Sequence, residues 1–550
     1  MKQWIKSGAP WVWLTAGSVS ISIIMVVGLL VMIAIRGLGH FWPADVVMVD
    51  YEQEPGTIVS VMGEITDEEL VPIQRVRDSG IALDSDELEI GRQLFKVGNR
   101  DVGGLDFRWL VTPLIQSQQR PENVVVLERT EWGNFYGFPH SVLENGKVVA
   151  EGDAAWNELE KRIERAINLR EAIHEIEKSD IGYINGQMER LRLAEKGLDY
   201  HQDNDPIKRA EIAEERAILD AQYNQHQGKL TELYAAINRD SFKAETTTGQ
   251  IVEIPLSKII RAFQPNAMST SDKVFHYMEK LWEFVSEDPR EANTEGGIFP
   301  AIFGTVMMVM IMAVLVTPFG VVAAIYLREY AKQGPVTRTI RIAVNNLAGV
   351  PSIVYGVFGL GFFVYVLGGS IDQLFYPEAL PAPTFGTPGL MWASITLALL
   401  TVPVVIVATE EGLSRIPSSV REGSLALGAT KAETLWRTII PMASPAIMTG
   451  LILAVARAAG EVAPLMLVGV VKMAAALPVD AVEPFIHLER KFMHLGFHIY
   501  DVGFQSPNVE AARPLVYATA LLLVLVIIAL NLAAIAIRNR LREKYKSMEH

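Results

Sequence analysis

The chain has 550 residues, half of them hydrophobic, a mean hydropathy of +0.23, no cysteine and a formal net charge of −14. Its length would suit three or four soluble domains, but several apolar runs reach the ~20 residues that cross a bilayer core, which excludes a wholly soluble protein. The missing cysteines exclude disulfides, thiolate metal sites and cysteine nucleophiles, and the acidic balance argues against nucleic-acid binding. The charge is unevenly placed: residues 40–297 hold 28 basic and 48 acidic side chains, the rest of the chain 21 and 15. No metal site is expected from the ten histidines.

The first apolar run covers residues 11–35, flanked by Lys2, Lys6 and Arg36. It exceeds the 7–15 apolar residues of a secretory signal, and no small-residue cleavage site follows, so it reads as a retained anchor. This run with its tail forms the first unit, 1–39. A polar insertion follows over 40–297. Its first part, 40–152, alternates short strand-like runs such as "TIVSVM" and "NVVVLE" with Gly and Pro, which predicts a β-rich module. From 153 to 240 the period changes to helical. Leu159, Ile163, Ala166, Ile173, Ile176, Ile184, Met188 and Leu191 mark one stripe, and Ala210, Ala217, Ala221, Leu230, Leu233 and Ile237 a second, separated by "DYHQDNDP". The pattern predicts an antiparallel helical hairpin or coiled coil, and its charge run a solvated face with docking as the alternative. Residues 241–297 are read as a connector, with Trp282 and Phe284 as interface aromatics.

Five more spans are predicted at about 298–327, 349–367, 389–409, 446–471 and 514–537, giving an α-helical integral membrane protein with six transmembrane helices and an α+β insertion. Basic residues gather at the N-terminus, after the second span (Arg328, Lys332, Arg338, Arg341), after the fourth (Arg415, Arg421, Lys431, Arg437) and at the C-terminus, all on one face of a six-span arrangement. The positive-inside rule puts that face, and both termini, in the cytoplasm and the insertion outside.

Within the polar loop 410–445 lies "REGSLALGATKAETLWRTIIP", residues 421–441. Ser419 with Glu422 and Thr430 with Glu433 each fit a capping box, and Gly428 between them can take positive φ. The expectation is helix, glycine turn, helix, stopping near Pro441. The plain alternative is an amphipathic loop resting on the membrane. A DNA-reading motif is excluded by the flanking spans. A nucleotide loop is excluded because no G-x-x-x-x-G-K-[ST] occurs in the chain. If ATP drives this protein, another chain binds it.

The fifth span carries Arg457 and Glu461 in "LAVARAAGEVAPLM". Each charge costs about 2.5 kcal/mol or more inside a membrane helix, and a spacing of four allows them to pair. One reading is a structural ion pair. The other is a transport site, since an Arg offers positive charge and bidentate hydrogen bonds to an oxyanion.

The 421–441 stretch resembles the coupling loop of ABC-importer permeases. Glu422, Gly423 and Ser424 stand where the family has E-A-A, Gly428 keeps its glycine, and Pro441 its proline. The departures are Gly423 and Ser424 for the two alanines, Thr438 for an isoleucine and Ile440 for a leucine. R-x-x-G-E-x-A-P at 457–464 and "NNLAGVPSIVYGVFG" at 345–359 are similar to the phosphate importer's permeases. "EGGIFPAIFGT" and the long N-terminal insertion resemble the larger form of its PstA-type subunit. The likeness covers residues 296 onward, and the insertion matches only in position and character. Val462 departs from the family's Thr.

The resemblance implies the type I ABC-importer permease fold, with a core over 298–550, and a bacterial inner-membrane location with the insertion in the periplasm. It implies a phosphate path involving Arg457 and Glu461, and ATPase docking through Glu422, Gly423, Ser424, Gly428 and Pro441. The implied partners are a second phosphate permease, an ATPase dimer that holds ATP and Mg, a periplasmic phosphate-binding protein and a phosphate-signalling regulator, besides lipid. The chain itself would do no covalent chemistry and bind no cofactor. The rivals are a permease for sulfate, molybdate or phosphonate, and a membrane sensor that signals through the external hairpin.

Overall fold

The computed structural model describes residues 7–81, 83, 86–506 and 509–546. The expected cytoplasmic Lys2 and Lys6 lie outside these residues. The chain divides into two compact units, one of residues up to His40, 298–506 and 513 onward, the other of Phe41–Gly297 with 509–512.

The first unit contains six helices long and apolar enough to cross a membrane, among the described residues: Trp11–Gly39, Phe299–Tyr330, Ser352–Phe375, Leu390–Ser414, Lys431–Gly460 and Ala512–Arg540. Spans two, four and five form its centre, where Met308, Val309, Met312, Leu397, Val405, Ala454, Val455 and Ala458 are buried together. Small residues permit the close approach, as is usual where lipid supplies no hydrophobic drive between helices. A Cβ on Gly320 would meet the Val405 side chain at 2.6 Å, and one on Gly450 the Ala408 methyl at 2.6 Å. Buried hydroxyls bond back to their own helix, Thr305 to the Ala301 carbonyl (2.7 Å) and Thr401 to that of Leu397 (2.7 Å), so these two polar atoms are satisfied within the protein.

Two predicted span boundaries are corrected. The fifth span does not run to Val471. Its helix ends at Gly460, and Glu461 is extended (φ −81°, ψ 134°). Pro464 excludes the helical region for the residue before it, so the helix cannot continue through this segment. Nor does the second helix of the polar loop stop at Pro441. Lys431–Thr434, a wide π turn over Leu435–Ile439 and Ile440–Gly460 form one continuous rod. Pro441 removes one N–H and crowds the carbonyl four residues back, and the wider turn makes room for both. Between spans two and three the amphipathic helix Pro335–Leu347 was not foreseen.

The second unit holds two large antiparallel sheets and a short two-stranded pair of Pro289–Arg290 with Glu295–Gly296, among the described residues. In the first, β1 (Val46–Glu54), β2 (Thr57–Pro72), β3 (Glu89–Lys96), β4 (Phe107–Val111) and β5 (Ile115–Gln119) take the order β4-β3-β2-β1-β5. The second contains β6 (Val125–Arg129), β7 (Phe135–Glu144), β8 (Lys147–Glu151), β9 (Asp240–Glu245), β10 (Ile251–Pro255) and β11 (Ile259–Phe263), in the order β10-β9-β7-β6-β11 with β8 on β7. The "NG" turn between β7 and β8 places Asn145 and Gly146 both at positive φ, as a tight hairpin turn requires.

This topology corrects the predicted division of the insertion. Residues 241–297 are not a connector, because β9, β10 and β11 complete the sheet begun by β6 and β7, with Val142 opposite Phe242. The hairpin is an excursion from one sheet. Its arms are Asp153–Tyr200, with a π turn over Ile176–Ile181, and Pro206–Ile237. Leu159, Ile163, Ala166 and Ile173 lie buried on the sheet as the first stripe predicts. The second stripe is corrected. Leu230 and Ile237 are buried, but Ala210, Ala217 and Ala221 are exposed, while Ile212, Arg216 and Leu219 are half-buried and Arg216 reaches Glu195 of the other arm (3.0 Å). Alanine is too small to report the buried side of a helix reliably. At the hairpin's base, Arg162 (2.8 Å), Arg165 (3.0 Å) and Arg239 (2.9 Å) converge on buried Asp240. Burial alone would raise that carboxyl, and the three arginines outweigh it and hold it below the usual range.

Candidate functional site

Two places in the membrane unit collect the residues singled out by their sequence. The first is the loop between spans four and five. Its first helix is Ser418–Ala426, preceded by Pro417 in an extended conformation. No side chain caps this helix, so the expected box of Ser419 with Glu422 is not formed. With Pro417 at the N-cap the helix starts two residues early, leaving Ser419 inside the first turn, and Glu422 is exposed. Gly423 has open space around it. The helix closes with the Gly428 N–H on the Leu425 carbonyl (3.0 Å) and the Ala429 N–H on that of Ser424 (3.3 Å). Gly428 sits at φ +90°, where an L side chain is strained. The second box does form. The Glu433 N–H donates to Thr430 Oγ1 (3.2 Å), and the Thr430 N–H to Glu433 Oε2 (2.9 Å).

The first helix and the start of the span-five rod are tied to each other and to their neighbours. Ser424 Oγ lies 2.9 Å from Thr434 Oγ1 across the turn. Arg421 donates to Glu329 Oε1 at the end of span two (2.8 Å) and to the Leu413 carbonyl at the end of span four (2.8 Å). Lys431 lies over the Tyr330 ring, 4.5 Å from its centroid. Leu413, Ile416, Leu435, Ile439 and Ala443 form a buried cluster beneath. The loop is thus fixed to spans two, four and five, while its turn is bare: Leu427 is 91% exposed and Leu425 also projects. The ties through Arg421, Glu329 and Lys431 escaped the sequence reading, because partners about 90 residues apart leave no local pattern.

The second place is the broken end of span five. Arg457 lies in its last helical turn and Glu461 just beyond, with Nε 3.5 Å from Oε1. The expected pairing is present but loose, and Glu461 is not on the helix as the spacing predicted. Arg457 is a third exposed and Glu461 a fifth. On the same helix face, Met442, Thr449, Leu453 and Gly460 are also uncovered by the chain itself. A cavity of about 340 Å³ reaches this face at Leu453, one turn before Arg457, with Asn345 and Glu411 among its other walls.

The motif at 345–359 meets this broken segment. A Cβ on Gly356 would stand 2.6 Å from the Pro464 Cα, and one on Gly359 would collide with Thr396 and come within 3.0 Å of Val468. Only glycines admit the third span this close to residues 464–468. Val462 packs on Gly496 in the segment before span six. His494 and His498 there have a spacing of four, common among metal ligands. His494 Nδ1, however, accepts the Gly496 N–H (3.1 Å). No group of three or more His, Asp or Glu side chains that could hold a metal ion occurs among the described residues.

Residues 316–546 match the family described as binding-protein-dependent transport system inner membrane component. A phosphate transport system permease protein PstA 1 of Mycobacterium tuberculosis is 35% identical over 245 residues, covering 44% of this chain and 71% of that protein. The PstA protein of Mycobacterium leprae is 37% identical over 175 residues, 32% of this chain and 52% of its own. A PstC permease of Mesorhizobium japonicum is 31% identical over 185 residues, 32% of this chain and 56% of its own.

Proposed function

The chain belongs to the binding-protein-dependent transport system inner membrane components, as a PstA-type permease of the type I ABC-importer fold, and on that footing we propose that it forms a phosphate path together with a second, similar permease. The observation that carries this reading is the loosely held Arg457–Glu461 pair at the broken end of span five, beside a helix face that the chain does not cover itself. Two charges facing lipid would cost about 2.5–3.5 kcal/mol each, so that face calls for a polar, water-accessible surrounding. A second permease supplies it. The Glu461 carboxylate approaches Arg457 through Nε, which leaves the other guanidinium donors for an anion. Glu461 steadies the guanidinium and, as a like charge to phosphate, keeps binding weak enough for release.

The turn at Leu425–Gly428 docks into the ATPase, with Glu422 at its rim, and Gly423, Ser424 and Pro441 shape the piece behind it. ATP and Mg belong to that separate chain, and this one binds no cofactor. The relatives are permeases of importers that work with an ATPase and a substrate-binding protein, and both are this chain's partners. The chain is a multi-pass membrane protein. The basic loops support an orientation with both termini in the cytoplasm and Phe41–Gly297 on the opposite side, which in an inner-membrane permease is the periplasm. Contact of that unit with the phosphate-binding protein, and of the complex with a phosphate-signalling regulator, completes the proposal.

The test is uptake of radiolabelled phosphate by cells depending on this system. Arg457→Ala is expected to abolish uptake while the complex still assembles, Arg457→Lys to retain part of it, and excess sulfate or molybdate not to compete. Undiminished uptake by Arg457→Ala would overturn the assignment, and competition by sulfate would make another oxyanion the substrate.

A further inference from the structure

The helix Thr270–Ser286 of the second unit begins with a complete capping box, Ser269 with Asp272. One side of it is committed to the protein. His276, Glu283 and Phe284 are buried, and Glu283 receives Arg261 (3.0 Å), Lys280 (3.1 Å) and Arg290 (2.5 Å). The other side is not. At 100° per residue, Leu281, Val274, Val285, Met278, Trp282 and Phe275 fall within an arc of roughly 120°. No charge lies in that arc. Phe275 is 76% exposed, Trp282 70% and Met278 59%. Single exposed apolar side chains are ordinary, but a contiguous stripe of large ones marks a contact surface.

The chain's own connections identify what the stripe touches. The first span's helix ends at Gly39. Phe41 and Trp42 follow at once, and both pack on this helix, Phe41 against Phe284 with ring centroids 5.0 Å apart and Trp42 against Tyr277 at 5.9 Å. At about 3.4 Å per residue, only some 10 Å of backbone separates the end of a bilayer-crossing helix from side chains seated on Thr270–Ser286. Downstream, twelve residues lead from its end to the second span at Phe299. The helix is therefore leashed at the rim of the bilayer by the segments on both sides of it.

We propose that Thr270–Ser286 lies in the lipid–water interface, with Val274, Phe275, Met278 and Trp282 sunk among the headgroups and upper acyl chains. Such a helix needs an apolar face of this composition and a polar remainder, and Trp favours that depth. Asp272 and Glu279, on the flank of the stripe, stay in water. The helix is then a float on the bilayer surface. The sequence marked Trp282 and Phe284 as interface aromatics, but Phe284 faces inward and Phe275 takes that role.

The absence of cysteine makes a direct test simple. Single variants Phe275→Cys, Met278→Cys, Trp282→Cys, Asp272→Cys and Glu279→Cys each carry one spin label in the full-length permease, assembled with its partners in nanodiscs of phosphatidylethanolamine and phosphatidylglycerol. Collisions with oxygen are expected to exceed those with a water-soluble nickel chelate severalfold at 275, 278 and 282, and the order to reverse at 272 and 279. Nickel access at 275 and 282 equal to that at 279 would put the stripe in water. Exclusion of both reagents would mean that a protein covers it. Either result overturns the proposal. A variant that keeps the native packing gives a second reading: Trp282→Phe should remove a measurable share of the tryptophan quenching by lipids brominated high on the acyl chain, and unchanged quenching counts against the float.

Discussion

Gly423 and Gly428 stand five residues apart on one short motif, and alanine at the two positions should act in opposite directions. Neither position is crowded, as a Cβ at either has nothing within 4 Å, so packing drops out and only the backbone remains. Gly423 lies inside the helix Ser418–Ala426, where alanine gains about 0.5–1 kcal/mol over glycine. Gly428 sits at φ +90°, and an L residue held left-handed there loses about 1–2 kcal/mol. Asparagine, which tolerates positive φ better, should fall between. The readout is amide hydrogen exchange over residues 418–434 in the full-length protein. Gly428→Ala should exchange roughly 5–30-fold faster, since 1–2 kcal/mol shifts an opening equilibrium by that factor. Gly423→Ala should exchange more slowly, with Gly428→Asn between wild type and Gly428→Ala. ATP-driven uptake should fall in the same order if the turn carries the stroke. Equal protection of Gly428→Ala and wild type would refute the reasoning, because the left-handed turn would then not be needed.

Thr430→Ala removes the formed N-cap and should cost about 1 kcal/mol of local stability, whereas Ser419→Ala should stay within about 0.5 kcal/mol, because its expected cap is absent; exchange over the same residues decides both. Gly356→Val forces a branched side chain against Pro464 and should destabilise the third span by about 1–3 kcal/mol, read as a lower unfolding temperature of the purified permease. Burial would raise the Glu283 carboxyl, but Lys280, Arg290 and Arg261 bring it from 4.5 down to about 2. A depressed carboxyl stabilises the fold above its unfolded value and loses that contribution as pH falls, here about 3 kcal/mol between pH 4.5 and 2. Glu283→Gln should be less stable at neutral pH and lack that part of the acid slope, as followed by near-UV circular dichroism of the full-length protein.

Wherever the cause is local, the sequence was enough. Six long apolar runs have to be helices because lipid cannot satisfy an open backbone. Thr430 and Glu433 at a spacing of three form their box from adjacent residues, and Gly428 takes the one conformation its neighbours leave it. Register across distance was another matter. Residues 241–263 read as part of a connector, and only pairing with β6 and β7, about a hundred residues or more earlier, made them part of a sheet. Ser419 matched a capping pattern, but Pro417 started the helix before the pattern could be used. Arg457 and Glu461 were legible as charges out of place. That the helix breaks between them, and that their face is left uncovered by the chain, depended on Pro464 meeting the glycines of span three. Patterns along a chain record which side of an element is apolar. Which neighbour arrives there, and how close it comes, is decided by the packing of segments that never see one another in the sequence.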